Sequence, residues 1–133
     1  KWALEQAQYI KTKAFDKLDI EHLFEEVGDM SRSEERELES RLEILLMHLL
    51  KWKYQHEAVS SSWTGTIEEQ RYRIARRLKK MPSLKNILPT LLDDVYSDSI
   101  RGAVKDTGLN NTAFPTKCEW SIEQILDNDF YPN

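Results

Sequence analysis

The chain has little of what disulfide, metal or phosphate chemistry draws on. Its 133 residues include one cysteine, Cys118, so no internal disulfide can form, and no zinc-type Cys/His spacing surrounds it. A reducing, cytoplasmic setting is the expectation. Four glycines supply neither a phosphate-cradling loop nor an oxyanion turn. No apolar run approaches the ~20 residues of a membrane-spanning helix, since His48 interrupts the most apolar stretch, LLMHLLKWKYQ. No charged-then-apolar leader opens the chain. Its first residue, Lys1 rather than methionine, suggests that a short N-terminal segment precedes it.

What is present is an ordinary soluble balance, 40% apolar and 32% charged residues, long enough for one core without staples. The net charge of −4 does not suggest indiscriminate nucleic-acid binding. Charge is nonetheless segregated. Asp16 to Glu43 carries eleven acids and four bases, whereas Lys51 to Lys85 carries nine bases and three acids. Complementary packing of two parts of one domain accounts for this, because opposite potentials fix register. A basic surface for nucleic acid or an acidic protein is the sharper alternative.

Apolar spacing is helical nearly throughout, and no segment alternates as a half-buried strand does. The pattern predicts an all-α, single-domain bundle over 1–133, of about five to six helices around a long central one at about 31–55. A first helix covers Trp2 to Lys13. A second has Ile20, Leu23, Phe24 and Val27 on its inner face and ends at Gly28 and Asp29. Ser31 or Ser33 caps the central helix, whose Leu38, Leu42, Leu45, Leu49 and Trp52 follow four-three spacing. Around Ile44 to Leu50 apolar residues circle the axis, so several neighbours must cover it. Three serines cap the next helix, which starts at about Trp63 or Thr64 and stops at Pro82. Pro89 sits in the first turn of another, in which Ser99, Gly102 and Ala103 permit close approach, and Gly108 ends it. Ser121 with Gln124 fits a capping box for a last short helix, Ile122 to Leu126. Phe114, Trp120, Phe130 and Tyr131 pin the tail.

Polar residues meet this core on three helices. Residues at 100° intervals place Glu37, Arg41, His48 and Gln55 on one flank of the leucine seam. Asp19, His22 and Glu26 flank the second helix's apolar face, and Gln70 and Arg71 fall between Ile67 and Ile74. Unpaired burial costs roughly 2–7 kcal/mol for a neutral group and more for a charge, so these groups should pair. Arg71 is expected to meet a carboxylate, Glu26 first and Glu37 second, while His48 and Gln55 bond across helices. The candidate site is therefore Glu26, His48, Gln55, Gln70 and Arg71. The same stripe offers His22, Glu26 and His48 as a two-histidine, one-carboxylate metal set, although the Glu-x-x-His order of di-iron bundles is absent. No cofactor is expected. In RYRIARRLKK, Arg73, Arg76, Arg77 and Lys80 project outward as a strip able to follow phosphates. The serines beside His56 read as a cap. Lys117 would favour a Cys118 thiolate and Glu119 opposes it.

Together LDIEHLFEEVGDMSRSEERELESRLEILLMHLLKWKYQ, SSSWTGTIEEQRYRI, PSL, AFPTKC and ILDNDFYP resemble the domain of unknown function 29 family over nearly the whole chain. The matching positions include His22, Glu25, Glu26, His48, Lys51, Trp52, Gln55, Trp63, Gln70, Arg71, Pro82 and Cys118. The resemblance implies an all-helical, single-domain, cytoplasmic bacterial protein whose family has no established activity. Family members often carry proline after the cysteine, where Glu119 stands here, which weakens any shared cysteine-centred role.

Three functions follow. The first is a non-catalytic protein-interaction or accessory module, acting on a protein partner or through self-association. The second is a small enzyme or metal-binding protein using an inter-helix polar cleft around His48. The third is nucleic-acid binding through the basic helix 71–80. A membrane role is not expected.

Overall fold

A computed structural model describes all residues, Lys1–Asn133. It is all-helical, with α1 (Trp2–Lys11), α2 (Ile20–Tyr54), α3 (Ser61–Lys80), α4 (Leu88–Thr107) and α5 (Ile122–Leu126), joined by 3₁₀ turns and irregular segments. No helix is long and apolar enough to cross a membrane. The chain divides into two compact units, Lys1–Glu35 and Arg36–Asn133, and residues of α2 belong to both.

That continuity corrects the expected break at Gly28 and Asp29, and with it the cap at Ser31 or Ser33. An interior glycine costs a helix only about 1 kcal/mol relative to alanine, which the helical residues on either side outweigh. Arg32 and Asp29 form an ion pair one turn apart, the spacing that supports a helix rather than ends one. The central helix is therefore 35 residues long, and the predicted second helix is its first third.

In the first unit, Gln6 is the one fully buried side chain; its Oε1 accepts the Asp19 backbone N–H at 2.8 Å. Asp19 also receives the Trp2 indole N–H at 3.3 Å and stands 2.7 Å from His22 Nδ1. These polar contacts, not an apolar core, tie α1 to the start of α2. Ile20, Phe24 and Val27, expected to face inward, are instead exposed, Phe24 by 81%.

The second unit holds the whole apolar core. Leu38, Leu42, Leu45, Leu46 and Leu49 of α2 are completely enclosed, together with Ile67 and Ile74 of α3, Val95 and Ala103 of α4 and Ile125 of α5. Each such leucine, isoleucine or valine side chain contributes roughly 1.5–3 kcal/mol. Along α3, Lys51 lies over the Trp63 ring and Glu37 meets Arg77, so the two helices are antiparallel. Along α4, Ser99 Oγ donates to Glu43 O at 3.1 Å and Lys51 reaches Asp106 at 3.2 Å, a parallel register. Close approach of this pair needs small residues. A Cβ on Gly102 would lie 2.5 Å from Met47 Sδ, and Ser99 and Ala103 are fully enclosed.

The predicted stops hold. Met81 follows the last residue of α3 and Pro82 opens a 3₁₀ turn, while Gly108 takes φ 74° after α4. Ser121 and Gln124 form both bonds of a capping box. The tail is fixed by aromatic pairs, Trp52 with Tyr131 at 4.6 Å, Tyr54 with Phe114 at 5.2 Å and Trp120 with Phe130 at 6.0 Å.

Gly28→Ala separates the two descriptions of α2. In a helix interior it should increase ellipticity at 222 nm and stabilise by up to about 1 kcal/mol, since the new methyl meets only the movable Arg32 head. At a helix end in the left-handed region the same change would lower both.

Candidate functional site

The polar stripe predicted on the core's edge resolves into separate arrangements. Arg41 holds Glu37, with Nε donating at 2.9 Å, and Arg41 Nη1 crosses to Gln70 Oε1 at 3.2 Å. Arg77 approaches the same Glu37 oxygen at 3.3 Å. Hydrogen bonding from Arg41 draws the Glu37 carboxyl below its usual range, against some desolvation, and Arg77 assists. Thus Gln70 does bond across helices. Arg77, expected on the outer basic strip, turns instead toward the acid of α2.

His48 does not reach another helix. Its Nδ1 lies 2.9 Å from Ile44 O, one turn back on α2, a bond available because the half-buried ring has no nearer partner for that nitrogen. Gln55, just beyond α2, donates from Nε2 to Thr107 O at 3.2 Å, satisfying a carbonyl at the end of α4. The metal candidates are not gathered either. His22 is two-thirds exposed and paired with Asp19, Glu26 is exposed, and His48 is about seven turns further along the same helix. No group of three histidine, cysteine or carboxylate side chains comes together in a metal-holding cluster.

Arg71 carries the largest correction. It is buried to 2% exposure, yet neither Glu26 nor Glu37 is its partner. Nε donates to Ile125 O at 2.8 Å and Nη2 to Phe130 O at 2.7 Å, and the guanidinium lies 5.3 Å from the Tyr131 ring centre. The physical reason is that the last turn of α5 and the tail bring unpaired carbonyls to this position, and a carbonyl pair plus an aromatic face can hold a planar cation. Burial works against the charge, while Tyr131 and Asp127 support it. One nitrogen, Nη1, is buried without a partner.

Arg71 also lines a cleft of about 400 Å³ between α3 and the tail, with Ile74, Leu78 and Leu126 as apolar wall and Lys79 and Lys85 at its edge. Of the five candidate residues, it is the one that opens onto this space. The cleft itself leaves no signal in the sequence, because nothing in their spacing ties residues 79, 85 and 126 together. Lys51, one of the positions that match the family, is buried at 7% between Asp106 and Trp63. Its place between Leu50 and Trp52 was the available signal.

The remaining sequence candidates stand apart from this cleft. Arg73 is held by Glu69 at 2.7 Å and Arg76 by the Tyr72 hydroxyl at 3.1 Å, and Lys80 is exposed. Cys118 Sγ faces Trp120 O at 3.4 Å, and burial pushes the thiol up, away from thiolate. Tyr96 donates to Pro115 O at 2.7 Å, and burial pushes its hydroxyl up to about 12.

Two outcomes follow. Arg71→Met should cost about 2–4 kcal/mol, since two carbonyls lose their donors, and should expose residues beyond Ile125 to protease before global unfolding. A tail as resistant as wild type would show the anchor to be unimportant. For His48, burial holds the imidazole below 6.5, opposed by the Ile44 bond and Asp106 and aided by Lys51. As pH falls below 6.5 the unfolded chain binds protons that the folded chain refuses, so this contribution to stability is lost toward acid. His48→Asn should flatten the decline in urea-unfolding free energy between about pH 7 and pH 5; an unaltered slope contradicts this.

A sequence model of the family described as "Domain of unknown function DUF29" matches residues 1–131, and the chain belongs to that family. No curated protein and no solved structure matches it.

Proposed function

We propose that this DUF29 chain is a non-catalytic interaction module that receives a basic amphipathic helix on the N-terminal stretch of α2. One observation carries the reading. Of the chain's eight exposed large hydrophobic residues, seven (Leu4, Ile10, Phe15, Ile20, Phe24, Val27 and Met30) belong to the first unit, which buries no apolar side chain of its own. Ile20, Leu23, Phe24 and Val27 recur at helical spacing and, with Gly28, line one groove that is almost wholly apolar. Contiguous apolar surface of this kind marks interaction sites, and an i, i+3, i+4, i+7 stripe suits helix-in-groove pairing.

Charge selects the occupant. Residues 18–31 contain five acids and no lysine or arginine. Asp19 and Asp29 are engaged by His22 and Arg32, which leaves Glu21, Glu25 and Glu26 flanking the stripe. A second copy would set these carboxylates against their like, whereas lysines or arginines beside a partner's apolar stripe would complement them. The acidic stretch also disfavours nucleic acid, and Arg73, Arg76 and Arg77 already have protein partners. The enzyme reading loses support because His48, Gln55, Gln70 and Arg71 each face a different partner. A single cysteine, which can form no internal disulfide, fits residence in a reducing bacterial cytoplasm.

Fluorescence anisotropy with two designed helical peptides tests this, both with a leucine stripe, one flanked by lysine and one by glutamate. The lysine peptide should bind at least ~10-fold tighter, an advantage that shrinks with salt. Phe24→Asp should abolish binding while shifting unfolding by less than ~0.5 kcal/mol, as an exposed site allows. Equal binding of both peptides, no binding, or a concentration-dependent dimer lost in Phe24→Asp would overturn the assignment.

A further inference from the structure

The cleft beside Arg71 is independent of the α2 stripe and has the makings of a small-ligand site. Its apolar wall is formed by Ile74 and Leu78, one turn apart on α3, and by Leu126. Arg71 precedes them on the same helix, and its buried Nη1 has no hydrogen-bond partner. An unsatisfied guanidinium nitrogen is costly to bury, so an acceptor supplied from outside would relieve a penalty already present in the empty protein. Lys79 and Lys85 line the same cleft and form no ion pair with any carboxylate. Asp127 is the acid whose charge acts on Arg71; it neutralises part of the guanidinium's field and leaves the two lysines.

We infer that this cleft binds a small amphiphilic carboxylate, its anionic head drawn by Arg71, Lys79 and Lys85 and its aliphatic body against Ile74, Leu78 and Leu126. Cations beside an apolar wall select for a negative charge on an otherwise apolar ligand. A volume of about 400 Å³ falls within the range of small-molecule pockets. Inorganic phosphate would satisfy the cations but leave the wall wet, and a neutral alcohol would cover the wall but leave Nη1 and the lysines unserved.

Octanoate, 1-octanol and inorganic phosphate, each titrated into the full chain and followed by amide NMR shifts, provide the test. Octanoate should shift amides of Arg71 to Lys79 and of Leu126 to Asn128, and should bind at least ~10-fold tighter than either comparison compound. Arg71 also holds the tail, so its variants confound folding with binding. The double variant Lys79→Gln, Lys85→Gln should instead weaken octanoate at least ~5-fold with unchanged circular dichroism. Ala75→Trp, at an exposed position lining the cleft, should block octanoate by filling the space. Equal binding of octanol, equal binding of phosphate, no saturable shift at these residues, or indifference to both variants would each overturn the inference.

Discussion

From Leu38 to Leu50 the central helix presents leucine to more than one direction, and nearly everything else in the second unit answers the need to cover it. A helix apolar on one face can be satisfied by one neighbour. Here Leu42, Leu45, Leu46, Leu49 and Leu50 are all buried, which no single partner can achieve. An antiparallel α3 covers one side and a parallel α4 another, the latter drawn close by Gly102 and Ala103. Ile125 and the tail close the rest, and the tail in turn needs Arg71, because its carbonyls arrive where water is excluded. The buried cation is thus a consequence of leucine packing two layers away.

Much of this was legible from residue order. Four-three spacing located the seam, Pro82 and Gly108 marked true helix ends, and the Ser121 and Gln124 pair named its own cap, because each is decided by neighbours within a turn. The errors share a different character. Gly28 has the backbone freedom of a terminator, but one residue's preference cannot outvote the helical residues on either side. For Arg71, opposite charge is the obvious solution to burial, and a carboxylate the obvious partner. Its actual partners are backbone carbonyls more than fifty residues away, and carbonyls are present at every position, so they leave no sequence signal. Glu37 was correctly placed beside the core, but Arg41 and Arg77 reached it first.

The same physics explains the charge segregation. The acidic block meets the basic one through Glu37 and Arg77; Lys51 and Lys53 go to Asp106 and Glu119. Within the first unit Asp19 and Asp29 pair with His22 and Arg32, and Glu21, Glu25 and Glu26 lie in the same stretch as Phe24, the most exposed aromatic ring of the chain.

Because α2 is a single helix, its two halves share one nucleation event. Starting a helix in water is improbable, while extending one is nearly free. The leucine core supplies the start, so the turns carrying Leu23 and Phe24 need only propagate from turns already fixed. A ligand meeting that stretch encounters side chains whose backbone is ordered beforehand, and the entropy of helix formation falls on the folding of the protein rather than on the association.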